Sequence, residues 1–342
     1  MKRILLALLT IIGVYVSYVL MSTGFFRTIE PTHTSKDVIL KLDIIGAEDF
    51  ALSYADSFMI VSADDRQWKV NDREHHGGLY LVDLSSSNPQ PKFVFGGPGF
   101  FPHGLTMYKI DSSTYKVWVI NHADGHTIET FELYNNELIQ TNSLSDPLAY
   151  SPNDLVAVDE NKLYITNDHL YHSGLGSIAE NYFGLSTGSV VYYDGSKFEQ
   201  VADGFGYANG LAFQNNRLFV AATREFSIKV YDVLASGQLN LVEIIDANTG
   251  VDNIEIGPTG KMWIASHPNL LDFVAYANGE NEIAPSEIIT LNYQGKSDYK
   301  MSLAYLEGGN IVSASSTALP FSNYLIIGNV ADTHVPFVRL NH

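Results

Sequence analysis

Asn161-Lys162-Leu163-Tyr164-Ile165-Thr166 sets a turn residue before a short run of β-type residues. The same design returns as Asn216-Arg217-Leu218-Phe219-Val220-Ala221 and as Gly260-Lys261-Met262-Trp263-Ile264-Ala265. Such runs, bounded by Gly, Asn, Asp and Ser, read as strands. Further runs lie at Gly78–Leu84, Lys116–Asn121 and Tyr324–Gly328, and several are followed by a second run, as at Thr127–Leu133, Ser189–Tyr193 and Ser227–Val233. The pattern is a recurring hairpin with a period of roughly 45–55 residues, the range of four-stranded propeller blades. About six such units fit after the N-terminal segment, so the fold expected is all-β, a six-bladed β-propeller. Each quoted run is read as the inner strand of its blade. A pair of β-sandwiches is the rival architecture, but no linker rich in Pro or Ser divides the chain.

The 342 residues are 46% hydrophobic and 12% aromatic, with 27 Gly and 17% charged, a composition that describes a globular chain with a large core and many tight turns. Lys and Arg number 20 against 38 Asp and Glu, for a net charge of −18. No basic footprint for nucleic acid follows from that balance. Most of the excess carboxylate reads as solvated surface, and a minority is available for a hard cation. The chain has no Cys, which removes disulfides, thiolate zinc sites and thiol nucleophiles together.

Lys2 and Arg3 precede an uncharged, apolar run from Ile4 to Met21. A cleaved signal peptide would carry an apolar stretch of about 7–15 residues and a small-x-small site; only Ser22-Thr23-Gly24 approaches one. The reading adopted is an uncleaved signal anchor over residues 1–25, followed by a propeller domain over 26–342. The flanking positive charges would hold the N-terminus in the cytoplasm and put the propeller on the extracytoplasmic side of the membrane.

Five phrases interrupt the apolar runs with side-chain oxygens and a His: Gly46-Ala47-Glu48-Asp49-Phe50, Phe101-Pro102-His103-Gly104-Leu105, Ser151-Pro152-Asn153-Asp154-Leu155, Tyr207-Ala208-Asn209-Gly210-Leu211 and Val251-Asp252-Asn253-Ile254. Taken singly, Asn-Gly and Asn-Asp pairs make turns. Taken together at blade-like intervals, they supply the oxygen set that calcium requires, whereas zinc favours His and Cys.

With these phrases in order, and with Val119-Ile120-Asn121-His122-Ala123-Asp124, Thr166-Asn167-Asp168-His169 and Trp263-Ile264-Ala265-Ser266-His267-Pro268-Asn269, the chain resembles the paraoxonase/arylesterase family over almost its whole length. The resemblance implies two calcium ions in the channel. Glu48, Asn153, Asn209, Asp252 and Asn253 would hold the catalytic ion near the mouth. Asp49, Asp154 and the main-chain oxygen of Leu105 would hold a deeper, structural one. His103 would be the general base, with His122 behind it as relay; read alone, either His is as well explained by a hydrogen bond within the channel. Asp168, His169 and His267 would orient substrate or support the ligands. His75, His76, His126, His172 and His334 match no family motif and read as loop or surface residues, and Trp263 reads as blade core.

The implied activity is calcium-dependent hydrolysis of lactones, with aryl esters and organophosphates as side substrates; a membrane anchor that places the mouth near the bilayer would suit lipophilic lactones such as long-chain acyl-homoserine lactones. No Gly-x-Ser-x-Gly elbow supplies a Ser nucleophile. A gluconolactonase-like or organophosphatase-type propeller, and a non-catalytic propeller with structural calcium, are the alternatives. The chain departs from animal members in lacking the Cys pair that closes their propeller, and Ser266 stands where they carry a free Cys. Closure is therefore expected from strand pairing between about Val38–Ile44 and Phe337–Leu340. Loops at Asp65–Gly77 and Leu271–Asn281 are expected over the site.

Overall fold

The computed structural model describes residues 2–69, 75, 77–123 and 125–340; His76 and Asp124 lie outside the described residues. Six four-stranded antiparallel sheets follow one another along the chain. Five are built from consecutive strands, spanning 47–96, 102–144, 152–205, 208–246 and 250–307. The sixth takes its three inner strands from 315–339 and its outermost from Val38–Leu42. That last pairing closes the ring, with Val38 opposite Val338, Leu40 opposite Phe337 and Leu42 opposite Val335. The fold is the six-bladed β-propeller expected, closed by strand pairing alone.

The core explains why the period is visible in the sequence. Six hydrophobic clusters each join residues of two neighbouring blades, such as Trp118 with Leu163 between blades 2 and 3, or Phe219 with Met262 between blades 4 and 5. Each middle strand is therefore covered on both faces. Lys162–Asn167 is buried at every position but the first, whereas the outermost strand of blade 2, Glu137–Leu144, is mostly exposed.

This corrects one expectation. The recurrent runs Lys162–Asn167, Arg217–Ala222 and Met262–His267 are second strands, not inner ones. Uniform apolarity marks the strand sandwiched between blades; the innermost strand faces a polar channel and carries the oxygen-rich phrases. The inner strands begin at Ala47, Pro102, Pro152, Ala208, Gly250 and Ser315. The longest interval falls in blade 5, where helix Leu270–Ala277 is inserted.

All six inner strands share one irregularity. The ladder slips by one residue between Ala47 and Asp49, Pro102 and Leu105, Pro152 and Leu155, Ala208 and Leu211, Val251 and Ile254, and Ser315 and Ala318. A bulge bends a strand and re-aims the side chains at it. At the bulges stand Glu48-Asp49, His103-Gly104, Asn153-Asp154, Asn209-Gly210, Asp252-Asn253 and Ser316-Thr317.

The N-terminal helix Lys2–Ser22 is long and apolar enough to cross a membrane, and none of its residues is buried. It would span roughly 31 Å, about the thickness of a bilayer hydrocarbon core. Its C-terminal end rests on the propeller: Leu270 N donates to Thr23 O at 2.9 Å, and Tyr15 stacks on Phe183 of helix Gly174–Phe183.

Candidate metal centre and active site

The bulges of blades 1, 3, 4 and 5 bring Glu48, Asn153, Asn209, Asp252 and Asn253 into the buried top of the channel, each no more than 5% exposed. The three amides are tethered by their nitrogens. Asn153 Nδ2 donates to Asp168 Oδ2 at 3.5 Å, Asn209 Nδ2 to Thr223 Oγ1 at 3.1 Å, and Asn253 Nδ2 to Glu48 Oε1 at 3.0 Å. With each nitrogen tied back, each amide oxygen is left on the opposite side. Asn153 Oδ1, Asn209 Oδ1, Asn253 Oδ1 and Glu48 Oε2 are all buried and have no hydrogen-bond partner among the described residues.

A buried acceptor without a partner is costly. Four such acceptors, all hard oxygens and all at inner-strand bulges, suit a cation of the calcium type. Among the described residues no group of three or more His, Cys, Asp or Glu is arranged to hold a metal, which agrees with a donor set made largely of amides. Asp252 is fixed from behind: His267 Nε2 lies 2.8 Å from Asp252 Oδ2, and the His267 ring stacks on Phe273 with centroids 3.8 Å apart.

One layer down, Asp49 and Asp154 face a cavity of 200 Å³ along the inner strands of blades 1 to 5. Asp49 Oδ2 accepts from Leu105 N at 2.7 Å, and Asp154 Oδ2 from Leu211 N at 2.7 Å, each bond crossing to the next blade. Burial, then the neighbouring carboxylates, push Asp49 well above the usual carboxylate range. Asp154 moves the same way, chiefly through burial. Glu255 joins them; burial raises it to about 8, and it hydrogen-bonds Asp49 and Thr317. This third acid escaped the sequence reading, although it stands only two residues beyond Asn253.

His103 stands at the blade 2 bulge. Its Nδ1 is 2.6 Å from His122 Nε2, and its Nε2 is 3.5 Å from Glu48 Oε1. Burial pushes the His122 ring down to about 2, helped by the rings around it, so it stays neutral near pH 7. Burial would raise the Glu48 carboxyl, but His103, Arg66 and the Asn253 amide outweigh it and the net shift is downward. Asp168 holds His169 Nδ1 at 2.6 Å and accepts from Ser151 Oγ.

Other residues entered the site without a sequence signal strong enough to find them. Ser316 Oγ donates to Glu48 O at 2.7 Å from the sixth bulge, whose phrase lacks any Asp, Asn or His. Tyr207 adopts φ 67, an uncommon conformation for a large residue, and its buried hydroxyl is raised by burial and by Asp168. His75 and His126 lie in loops, and both have partners there: His75 pairs with Asp64 and packs on Phe101, and His126 contacts His122. His334 remains in a loop, meeting Ile311 O at 3.0 Å, and Trp263 is in the core as expected.

Of the two segments expected as loops over the site, the first has residues 70–74 and 76 outside the described residues and the second is largely the helix Leu270–Ala277; the two touch where Gln67 Nε2 donates to Tyr276 O. Beside the mouth a second cavity, of 390 Å³, has Asp168, His169 and Tyr207 at one end and Val19, Leu185 and Phe226 along its walls.

The profile of the Arylesterase family matches residues 69–335. Mouse serum paraoxonase/arylesterase 1 is 29% identical over 318 residues, covering 89% of each chain. The human protein of that name is 31% identical over 266 residues, covering 74% of each. Among solved structures, a gluconolactonase from Xanthomonas campestris superposes with a TM-score of 0.54 at 14% identity, covering 87% of each chain, a likeness of fold. The family match spans most of the propeller, and the relatives extend it over nearly the full length: the chain belongs to the arylesterase family.

Proposed function

We propose that the protein is a calcium-dependent lactonase that also cleaves aryl esters and organophosphates, anchored to a membrane by its first 25 or so residues with the propeller, residues 26–342, on the extracytoplasmic side. The observation that carries this reading is the set of four buried, partnerless oxygens on Glu48, Asn153, Asn209 and Asn253, with Asp252 beside them. These five residues would hold the catalytic ion. Asp49, Asp154 and the Leu105 carbonyl would hold the structural one.

Bound calcium supplies a positive charge that polarises the substrate carbonyl and stabilises its developing oxyanion. The chain's residues do the rest. His103 Nε2, facing Glu48, takes a proton from the attacking water, while His122 fixes the His103 ring through Nδ1. The same nitrogen returns the proton to the leaving oxygen, and no covalent intermediate is needed. Asp168, His169 and Tyr207 orient the substrate at the edge of the 390 Å³ cavity. Exposed Phe25, Phe26, Leu175, Ile178, Phe183 and Val274 are in or beside the segments that meet the end of the N-terminal helix. An apolar collar there suits the headgroup boundary and a lipophilic lactone arriving from it.

The test is a panel of lactones of increasing acyl-chain length, with phenyl acetate for comparison, assayed with and without a chelator. Hydrolysis abolished by chelation and restored by calcium supports the reading. Activity indifferent to the chelator, or absent on every ester, sinks it.

A further inference from the structure

The paired rings of His103 and His122 continue outward. His122 Nδ1, the nitrogen that does not face His103, lies 3.0 Å from His126 Nδ1, and the two rings meet edge-on with centroids 5.0 Å apart. His126 is half-buried and His172, 6.0 Å away ring to ring, is exposed. Two hydrogen bonds therefore lead from the channel to a ring that touches solvent. Nothing in the activity proposed above uses the second of them.

We propose that His126 is the outer station of a proton relay, a positioning residue through which the proton accepted by His103 is exchanged with bulk water. The proposal rests on the reading of His103 as general base. One arrangement of neutral rings satisfies both bonds and leaves His103 ready: His103 donates Nδ1–H to His122 Nε2, His122 donates Nδ1–H to His126 Nδ1, and His126 keeps Nε2–H outward. His103 Nε2 is then a free lone pair beside Glu48.

When water attacks, its oxygen bonds to the carbonyl carbon and its proton goes to His103 Nε2. The His103 Nδ1 proton passes to His122, the His122 Nδ1 proton passes to His126, and the His126 Nε2 proton leaves to solvent. A solvent proton then returns along the same path to His103 Nδ1; on collapse the bond between carbonyl carbon and ring oxygen breaks, and the leaving oxygen takes the proton from His103 Nε2, which restores the first arrangement. One water is consumed, and the product acid ionises in solution.

Two features support transit over storage. Burial and the neighbouring rings disfavour a cation on His122, and burial and His172 disfavour one on His126, so neither ring traps the proton. His126 is also held at φ 47, which a non-glycine residue adopts only where its surroundings require it.

The test uses the full chain and two variants that tolerate this backbone, His126→Asn and His126→Gly, assayed with phenyl acetate and a six-membered lactone. Expected is a fall in kcat of about tenfold or more in dilute buffer, within the range of a lost proton-transfer group. KM should stay unchanged, and kcat should recover as imidazole buffer is raised; the parent should be indifferent to imidazole. A kcat within about twofold of the parent, or a loss that imidazole does not restore, overturns the relay while leaving the hydrolase reading intact. A parent that cleaves neither ester overturns the hydrolase reading itself.

Discussion

Asn153, Asn209 and Asn253 share one trick of orientation: the amide nitrogen is engaged and the oxygen is left bare. Removing such an oxygen should weaken the ion without touching the base. Asn209→Ala and Asn253→Ala are expected to lower calcium affinity at least tenfold by calorimetric titration. His103→Gln should instead leave affinity within about threefold and lower kcat by roughly 10²–10⁴. If all three variants change binding and turnover in parallel, the division between ligands and base is wrong. The proposed ligands were legible because Asp, Asn and Glu in short phrases contrast with apolar flanks. Glu255 was not, since Ile254-Glu255-Ile256 has the alternation of an ordinary half-exposed strand. Ser316 was missed for a related reason: a hydroxyl in Ser315-Ser316-Thr317 carries no charge to mark it, although it stands at the blade interval.

At the scale of the strand, the decisive device is the bulge that repeats in every blade. It packs neighbouring inner strands so closely that Gly104 and Gly210 have no substitute. A Cβ on Gly210 would lie 2.5 Å from Asn253 Cα and 2.5 Å from Asp252 O, both main-chain atoms that cannot swing aside. Gly210→Ala should therefore destabilise the protein by about 1–3 kcal/mol in denaturant titration and displace the Asp252-Asn253 phrase enough to weaken calcium binding. Wild-type stability and affinity in that variant would contradict the packing described. The helices make a second case. Val19 and Ser22 wall the 390 Å³ cavity, so Ser22→Trp should reduce kcat/KM for long-chain lactones by tenfold or more while sparing short ones. An unchanged chain-length profile would show that the acyl chain lies elsewhere. Sequence periodicity located the blades but misassigned their inner strands. Burial on both faces makes the second strand the most apolar, whereas the bulged strand next to the channel mixes polar and apolar residues.

For the molecule as a whole, the question is what holds six blades in a ring without a disulfide. Pairing of Val38–Leu42 with Val335–Arg339 closes the perimeter. At the axis three buried acids each span a pair of blades: Asp49 reaches Leu105 from blade 1 to 2, Asp154 reaches Leu211 from blade 3 to 4, and Glu255 meets Thr317 from blade 5 to 6. Without a cation these carboxyls repel one another, and all three are raised above their ordinary values, Glu255 to about 8. In the folded ion-free chain they keep protons that the unfolded chain has already lost. Stability is then full below the ordinary carboxylate pKa and falls as pH rises toward about 8. If calcium occupies this layer as proposed, it replaces those protons as the counter-charge of the ionised acids, so it should reverse the trend. Melting temperatures in chelator should decline from about pH 5 to about pH 8, and with millimolar calcium they should hold level or rise over that interval. Glu255→Gln should flatten the decline in chelator, because the amide keeps the contact to Thr317 without a charge to bury. Parallel curves with and without calcium would mean that the acids at the axis bind no ion, and that perimeter pairing and the six interblade cores close the ring unaided.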